Sequence, residues 1–78
     1  MFDKVDYMKT TTYYYYGGFL IDIQDRENTK EAWLYHNLYG VKTLIFGLEK
    51  PVTDKIVLEL LEGQIKEAIN LYKNEYMN

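Results

Sequence analysis

The chain contains few of the side chains that carry covalent catalysis. It has no serine and no cysteine, so the two commonest side-chain nucleophiles are missing, and its only histidine is His36. Asp22 and Glu31 could act together as a general acid and base. However, a chain of 78 residues with twelve acidic side chains brings carboxylates together by chance. The residue inventory therefore predicts that the protein is not an enzyme.

Metal and cofactor binding are disfavoured for the same kind of reason. One histidine without cysteine cannot build a structural zinc site. The segment 22–31, DIQDRENTKE, has acidic residues but lacks the glycine and the spacing of a calcium-binding loop. The pair Gly17-Gly18 belongs to no phosphate-binding glycine motif, so it is predicted to form a turn. We expect neither a metal nor a cofactor.

The charge of the chain argues against a nucleic-acid partner. Tyrosine side chains such as Tyr13 and Tyr15 can stack on the bases of a single strand. A binding groove for phosphates must also be basic, whereas this chain has a net charge of −3 and one arginine, Arg26. A single-stranded nucleic-acid binder is therefore retained only as a second alternative.

The sequence also predicts a small protein without a membrane anchor. No stretch approaches the roughly 18 apolar residues of a membrane span. The first nine residues include Asp3 and Asp6 and lack the apolar core of a signal peptide, so we expect a cytoplasmic protein. The length fits one domain, 1–78, and a domain this small without disulfides gains stability by oligomerising.

The segment 10–23, TTTYYYYGGFLIDI, is predicted to form a β-hairpin. Threonine and tyrosine favour strands, and Gly17-Gly18 suits a two-residue turn in which both residues have positive φ. That turn would place Tyr14 opposite Ile21 and Tyr16 opposite Phe19. The alternative is one long strand with a glycine bulge.

Two further strands and a helix follow. EAWLYH (31–36) and VKTLIFGL (41–48) are predicted strands, joined by the hairpin loop NLYG (37–40). After Pro51, Thr53 or Asp54 can cap a helix that extends to residue 76. Its predicted apolar stripe consists of Leu58, Leu61, Ile65, Ala68 and Tyr72. Gly63 lies inside that helix and favours either a kink or a close backbone approach.

These elements predict an α+β fold with two layers. A four-stranded antiparallel β-meander (10–48) follows an N-terminal segment (1–9) of undetermined structure, and one C-terminal α-helix (53–76) packs on one face. The residues expected beneath the helix are Tyr14, Tyr16, Phe19, Ile21, Ile23, Trp33, Leu44 and Phe46.

The opposite face of the predicted sheet is also apolar or aromatic, which is typical of an interaction surface. The binding residues predicted there are Tyr13, Tyr15, Leu20, Asp22, Leu34, His36, Val41 and Ile45. The alternative is that residues 1–8 cover this face through Phe2, Val5 and Met8.

The leading functional hypothesis is a non-enzymatic protein-binding module. Small size, mild acidity and a second apolar face fit an inhibitor encoded by a phage or mobile element that masks a surface of a larger host protein. The first alternative is a homo-oligomer, a homodimer for example, that uses its tyrosine-rich face for self-association.

Overall fold

The computed structural model describes residues 9–15 and 17–77, which form one antiparallel sheet of four strands and two helices. The elements are β1 (Lys9–Tyr14), β2 (Phe19–Asp25), β3 (Thr29–His36), β4 (Thr43–Glu49), α1 (Asp54–Glu62) and α2 (Ile65–Tyr76). The strands are neighbours in the order β1-β2-β3-β4, so the predicted α+β class and the four-stranded meander are confirmed. The predicted role of residues 1–8 concerns a segment outside the described residues.

The β1–β2 hairpin has a loop one residue longer than predicted. The Tyr15 amide donates a hydrogen bond to the Phe19 carbonyl oxygen at 2.9 Å, so three residues separate the paired positions. Gly17 and Gly18 do adopt positive φ, at 67° and 85°. The hairpin is therefore present, and the two-residue turn is wrong.

The longer loop reverses the side chains of β1. Tyr13, not Tyr14, pairs with Ile21, and a shift of one residue moves every side chain of a strand to the other face. Tyr14, predicted to be core, is 71% exposed. The core position predicted for Tyr16 falls outside the described residues.

The predicted faces of β3 are reversed as well, through its own pairing with β2. Leu34 lies opposite Ile21 and is buried beneath the helices, whereas Trp33 lies opposite Asp22 on the other side. The predicted core positions of Trp33 and Leu44 are therefore wrong. The face of the sheet turned away from the helices is called the second face below.

The helical segment is divided in two, which corrects the prediction of one helix. α1 ends at Glu62, and the amides of both Gly63 and Gln64 bond back to the Leu61 carbonyl oxygen before α2 begins at Ile65. Thr53 caps α1, because its hydroxyl accepts the Ile56 amide at 3.3 Å.

One apolar side of the two helices packs on the sheet. The buried helical residues are Val57, Leu61, Ile65, Ile69 and Tyr72, and the buried apolar residues of the sheet are Phe19, Ile21, Ile23, Ala32 and Leu34. Of the predicted stripe, Leu58 and Ala68 are only half-buried. Three of the five predicted stripe residues are therefore buried. In place of Leu58 and Ala68, the neighbouring residues Val57 and Ile69 are buried.

Asp54 attaches the first turn of α1 to two strands. Its carboxylate accepts the Tyr13 hydroxyl at 2.7 Å and the Lys30 ammonium at 2.7 Å. The Lys30 hydrogen bond, with that from Tyr13, lowers the pKa of Asp54, and the same carboxylate raises the pKa of Tyr13. The start of the helical layer is thus fixed to β1 and β3 together.

Replacing Gly63 or Gly18 by alanine should change the free energy of unfolding in opposite directions. Gly63→Ala should raise the free energy of unfolding by about 0.5–1 kcal/mol, because its backbone is right-handed and its Cβ would meet nothing within 4 Å. Gly18→Ala should lower it by about 1–3 kcal/mol, since φ is positive and the Cβ would lie 2.6 Å from His36 Nε2. Urea denaturation of both variants measures this, and equal responses would contradict the described loop.

The lowered pKa of Asp54 predicts that the protein loses part of its unfolding free energy in acid. A carboxylate whose pKa is lowered by folding stabilises the protein above its unfolded pKa, about 4, and that contribution disappears as the pH falls. Asp54→Asn should therefore cost about 1–2 kcal/mol at pH 7 and progressively less below pH 4. Denaturation series from pH 7 to 2 test this, with the exposed Glu59→Gln as control. A constant difference at all pH values would contradict it.

Candidate protein-binding surface

The eight residues predicted to share one exposed face do not do so. Five pack on the helix side of the sheet: Tyr13, Tyr15, Leu34, His36 and Ile45. Leu20 and Asp22 lie on the second face, and Val41 is exposed in the loop between β3 and β4. For Tyr13 and Tyr15 the reason is the longer β1–β2 loop. For Leu34 and His36 it is the pairing of β3 with β2. Ile45 lies at the irregularity in the pairing of β4 with β3. The binding role of the last three residues stays a prediction.

Cross-strand pairing arranges the second face in three rows. The first row is Tyr14, Leu20 and Tyr35; the second is Thr12, Asp22, Trp33 and Leu44; the third is Thr10, Gln24, Glu31 and Gly47. The first row is aromatic and apolar, the third is polar, and the second contains both kinds of side chain. The apolar end lies next to the two hairpin loops.

A buried carboxylate organises the middle of this face. Asp22 is 2% exposed, and its oxygens accept the Thr12 hydroxyl at 2.8 Å and the Lys42 ammonium at 2.8 Å. The hydrogen bond with Asp22 raises the pKa of Lys42. The ammonium also lies 5.2 Å from the centre of the Tyr35 ring. A buried charge needs such partners, and here they connect β1, β2 and the start of β4.

A second polar network fixes the indole of Trp33. Glu31 Oε1 accepts the Arg26 Nε–H at 2.9 Å and the Trp33 Nε1–H at 3.1 Å, while Arg26 Nη2 donates to Gln24. Arg26 is the main cause of the lowered pKa of Glu31. The aromatic side chain is therefore held in one orientation by hydrogen bonds within the chain.

The loop 37–42 is held from inside by His36. The imidazole Nδ1 accepts the Leu38 amide at 3.1 Å, so the proton is on Nε2, which lies 3.0 Å from the Gly17 carbonyl oxygen. The ring also meets Phe19 and Tyr39 edge-on, with centroids 5.0 and 5.4 Å apart. One buried side chain thus joins the tips of both hairpins. The predicted exposed position of His36 is wrong.

Tyr72 of α2 holds the other end of this loop. Its buried hydroxyl accepts the His36 amide at 3.3 Å and donates to the Val41 carbonyl oxygen at 2.6 Å. The backbone of the loop is therefore bonded inward, while the side chains of Leu38 and Val41 are exposed, Leu38 to 82%, and Tyr39 is partly exposed beside the His36 ring. An ordered loop that displays apolar side chains is suited to filling a pocket of another protein.

Two grooves run beside the helical layer. One, of about 570 Å³, lies between β1 and α1 and has apolar walls that include Tyr13, Tyr15 and Leu58. The other, of about 420 Å³, lies between β4 and α2 and includes Ile45 and Leu71.

Within 9–15 and 17–77, no group of three or more His, Asp or Glu side chains is arranged to hold a metal ion. Neither described helix is long and apolar enough to cross a membrane.

Sequence reasoning missed the aromatic members of the second face. The predicted registers place Tyr14, Trp33 and Leu44 on the core side with Ile21. Tyr35 is predicted neither in the core nor among the binding residues. Asp22 was the available signal, because Trp33 lies directly opposite it in the ladder and a core pairing would have buried that carboxylate under the helix.

Tyr72→Phe should loosen the loop 37–42 without unfolding the protein. It removes a buried hydroxyl with two bonds, so we expect a loss of about 1–3 kcal/mol in unfolding free energy. Amide hydrogen exchange at Tyr39 and Gly40, both bonded to the His36 carbonyl, should accelerate beyond the global change. Tyr76→Phe is the control on the same helix. Equal exchange in both variants would contradict the role of Tyr72.

Comparison with protein-family models, with curated proteins and with solved structures found no match for this chain. The function is therefore argued from the surface alone.

Proposed function

We propose that this protein is a non-catalytic protein-binding module that masks an apolar surface of a larger protein. The docking surface consists of the first two rows of the second face and the adjoining loop 37–42. The observation that carries the proposal is an aromatic face whose charged groups are already paired with one another. The proposed inhibitory role is the simplest consequence of covering such a surface.

Preorganisation supports this proposal. Binding normally costs the freedom of each side chain that becomes fixed, about 0.5–1.5 kcal/mol for a flexible one. Here Trp33 is bonded to Glu31, and Lys42 lies against both Asp22 and Tyr35. Much of the ordering has therefore occurred in the free protein. Tyrosine and tryptophan are also the residue types enriched at the centres of interfaces.

The local charge favours protein over nucleic acid. Lys42 on this surface is bonded to Asp22, and Arg26, which lies beside it near the third row, is bonded to Glu31. Neutralising a phosphate with either would break an existing ion pair. A partner that presents apolar and uncharged polar groups needs no such exchange. The partner surface is therefore expected to be apolar with a polar rim.

Two leucines of equal exposure provide the test. Leu44 in the second row and Leu60 on the outer side of α1 are each 52% exposed. Leu44→Asp should abolish capture of the partner from a lysate of the source cells, because a carboxylate would be desolvated at the centre of the interface. Leu60→Asp should capture it as the unchanged chain does. Quantitative mass spectrometry of bound proteins makes the comparison, and circular dichroism checks that both variants fold.

The captured protein is then purified and its affinity measured directly for all three chains. Leu38→Asp, in the loop, should weaken binding by at least about tenfold, in keeping with an anchor residue. Equal binding by the Leu44→Asp chain, equal loss with Leu60→Asp, or capture only of nucleic acid that salt releases would overturn the proposal.

A further inference from the structure

β1 is an edge strand whose outer side no described element covers. The sheet order places β1 at one edge and β4 at the other. Lys9–Tyr14 forms a regular six-residue ladder with β2, and its side chains are almost all exposed. Unpaired backbone groups along such an edge can accept another strand.

The outward backbone groups can be assigned from the hairpin. Hydrogen-bonded pairs alternate along an antiparallel ladder, and Tyr15 with Phe19 is such a pair. The pairs 13–21 and 11–23 therefore also bond to β2. The N–H and C=O groups of three alternate residues consequently point away from the sheet. These residues are Thr10, Thr12 and Tyr14.

β4 has features that block edge pairing, and β1 has none in residues 10–14. The pairing of β4 with β3 is irregular and skips Ile45, which bends that edge, and β4 also contains Gly47 and ends at the charged Glu49. Residues 10–14 are three threonines and two tyrosines, without charge, proline or a register shift. These are residue types with high β propensity.

We propose that β1 pairs antiparallel with β1 of a second copy of this chain, joining two sheets into one of eight strands. The two-fold axis passes through Thr12, so Thr12 faces Thr12 of the second copy and Thr10 faces its Tyr14. Each outward residue then exchanges backbone bonds with its counterpart, giving about six hydrogen bonds.

The sequence of the edge is complementary to itself in this register. The facing pairs are threonine with threonine and threonine with tyrosine, both favourable across strands, and no like charges meet. On the helix side, Thr11 faces Tyr13 of the second copy. The grooves beside β1 in the two copies then become one apolar trough, with Tyr13 and Tyr15 from each copy along its floor.

The expected dimer is weak, because one short strand pair buries less than the roughly 1,200 Å² of a stable interface. We expect a dissociation constant in the micromolar range. Light scattering from micromolar to near-millimolar concentration should show a monomer–dimer transition without larger species. A dimer formed this way uses the backbone of β1 and leaves the loop 37–42 and Leu44 exposed, so dimerisation is measured without the partner.

Two substitutions at the axis separate backbone pairing from side-chain effects. Thr12→Pro removes an outward N–H from each copy, which is not used in the β1–β2 ladder, and should raise the dissociation constant at least about tenfold. Thr12→Val loses the hydroxyl that bonds Asp22 but keeps the amide. It should weaken dimerisation much less than Thr12→Pro does, and circular dichroism verifies the fold of both.

Cysteine substitutions test the register even where the proline variant does not fold. The chain has no cysteine, so each variant contains a single thiol. Under mild oxidation Thr12→Cys should cross-link to its copy, because facing positions lie within disulfide reach. Thr10→Cys alone should not, while a mixture of Thr10→Cys and Tyr14→Cys chains should. A monomer at every concentration, equal cross-linking of all variants, or a dimer that survives Thr12→Pro without cross-linking at Thr12 would overturn the proposal.

Discussion

The hydrogen bond from the Tyr15 amide to the Phe19 carbonyl oxygen determines how β1 is presented. It fixes the register of β1 on β2, and the period of two along a strand then assigns every side chain to a face. Tyr13 consequently reaches Asp54 of α1, and Thr12 reaches Asp22 on the second face. A shift by one residue would break both contacts, so the attachment of α1 to β1 and the bond of Thr12 to Asp22 both depend on this loop length.

The width of the helical layer explains why apolar grooves remain exposed beside it. Four strands at about 4.8 Å spacing are wider than one helix with its side chains, about 10 Å across. Both helices contact β3, near the middle of the sheet. The best-buried residues of the sheet accordingly lie on β2 and β3, and the outer strands are left with a groove on each side. The grooves beside β1 and β4 both follow from this mismatch of widths.

The sequence predicted the elements far better than their orientation. Residue types located the four strands, glycines located the β1–β2 and β3–β4 hairpins, and the apolar period located the helical segment together with its weak point at Gly63. The faces were wrong because Tyr and Trp suit either side of a sheet, so the pattern of β1 and β3 is compatible with both registers. What decides between them is distant in sequence: Asp22 needs Lys42, and Asp54 needs Lys30. A one-residue difference in loop length leaves no comparable local signal.

The two proposed interactions use different directions of the same sheet. Edge pairing engages backbone groups that point along the plane, whereas partner docking engages side chains that point out of it. Pairing two copies through β1 would place their second faces side by side on one continuous sheet, with both apolar first rows available. Two linked copies of a modest binding surface hold a repetitive or dimeric target more tightly than either copy alone, because the second contact is intramolecular. Self-association would therefore strengthen masking rather than compete with it. On this proposal one chain would both bind a partner protein and form a dimer.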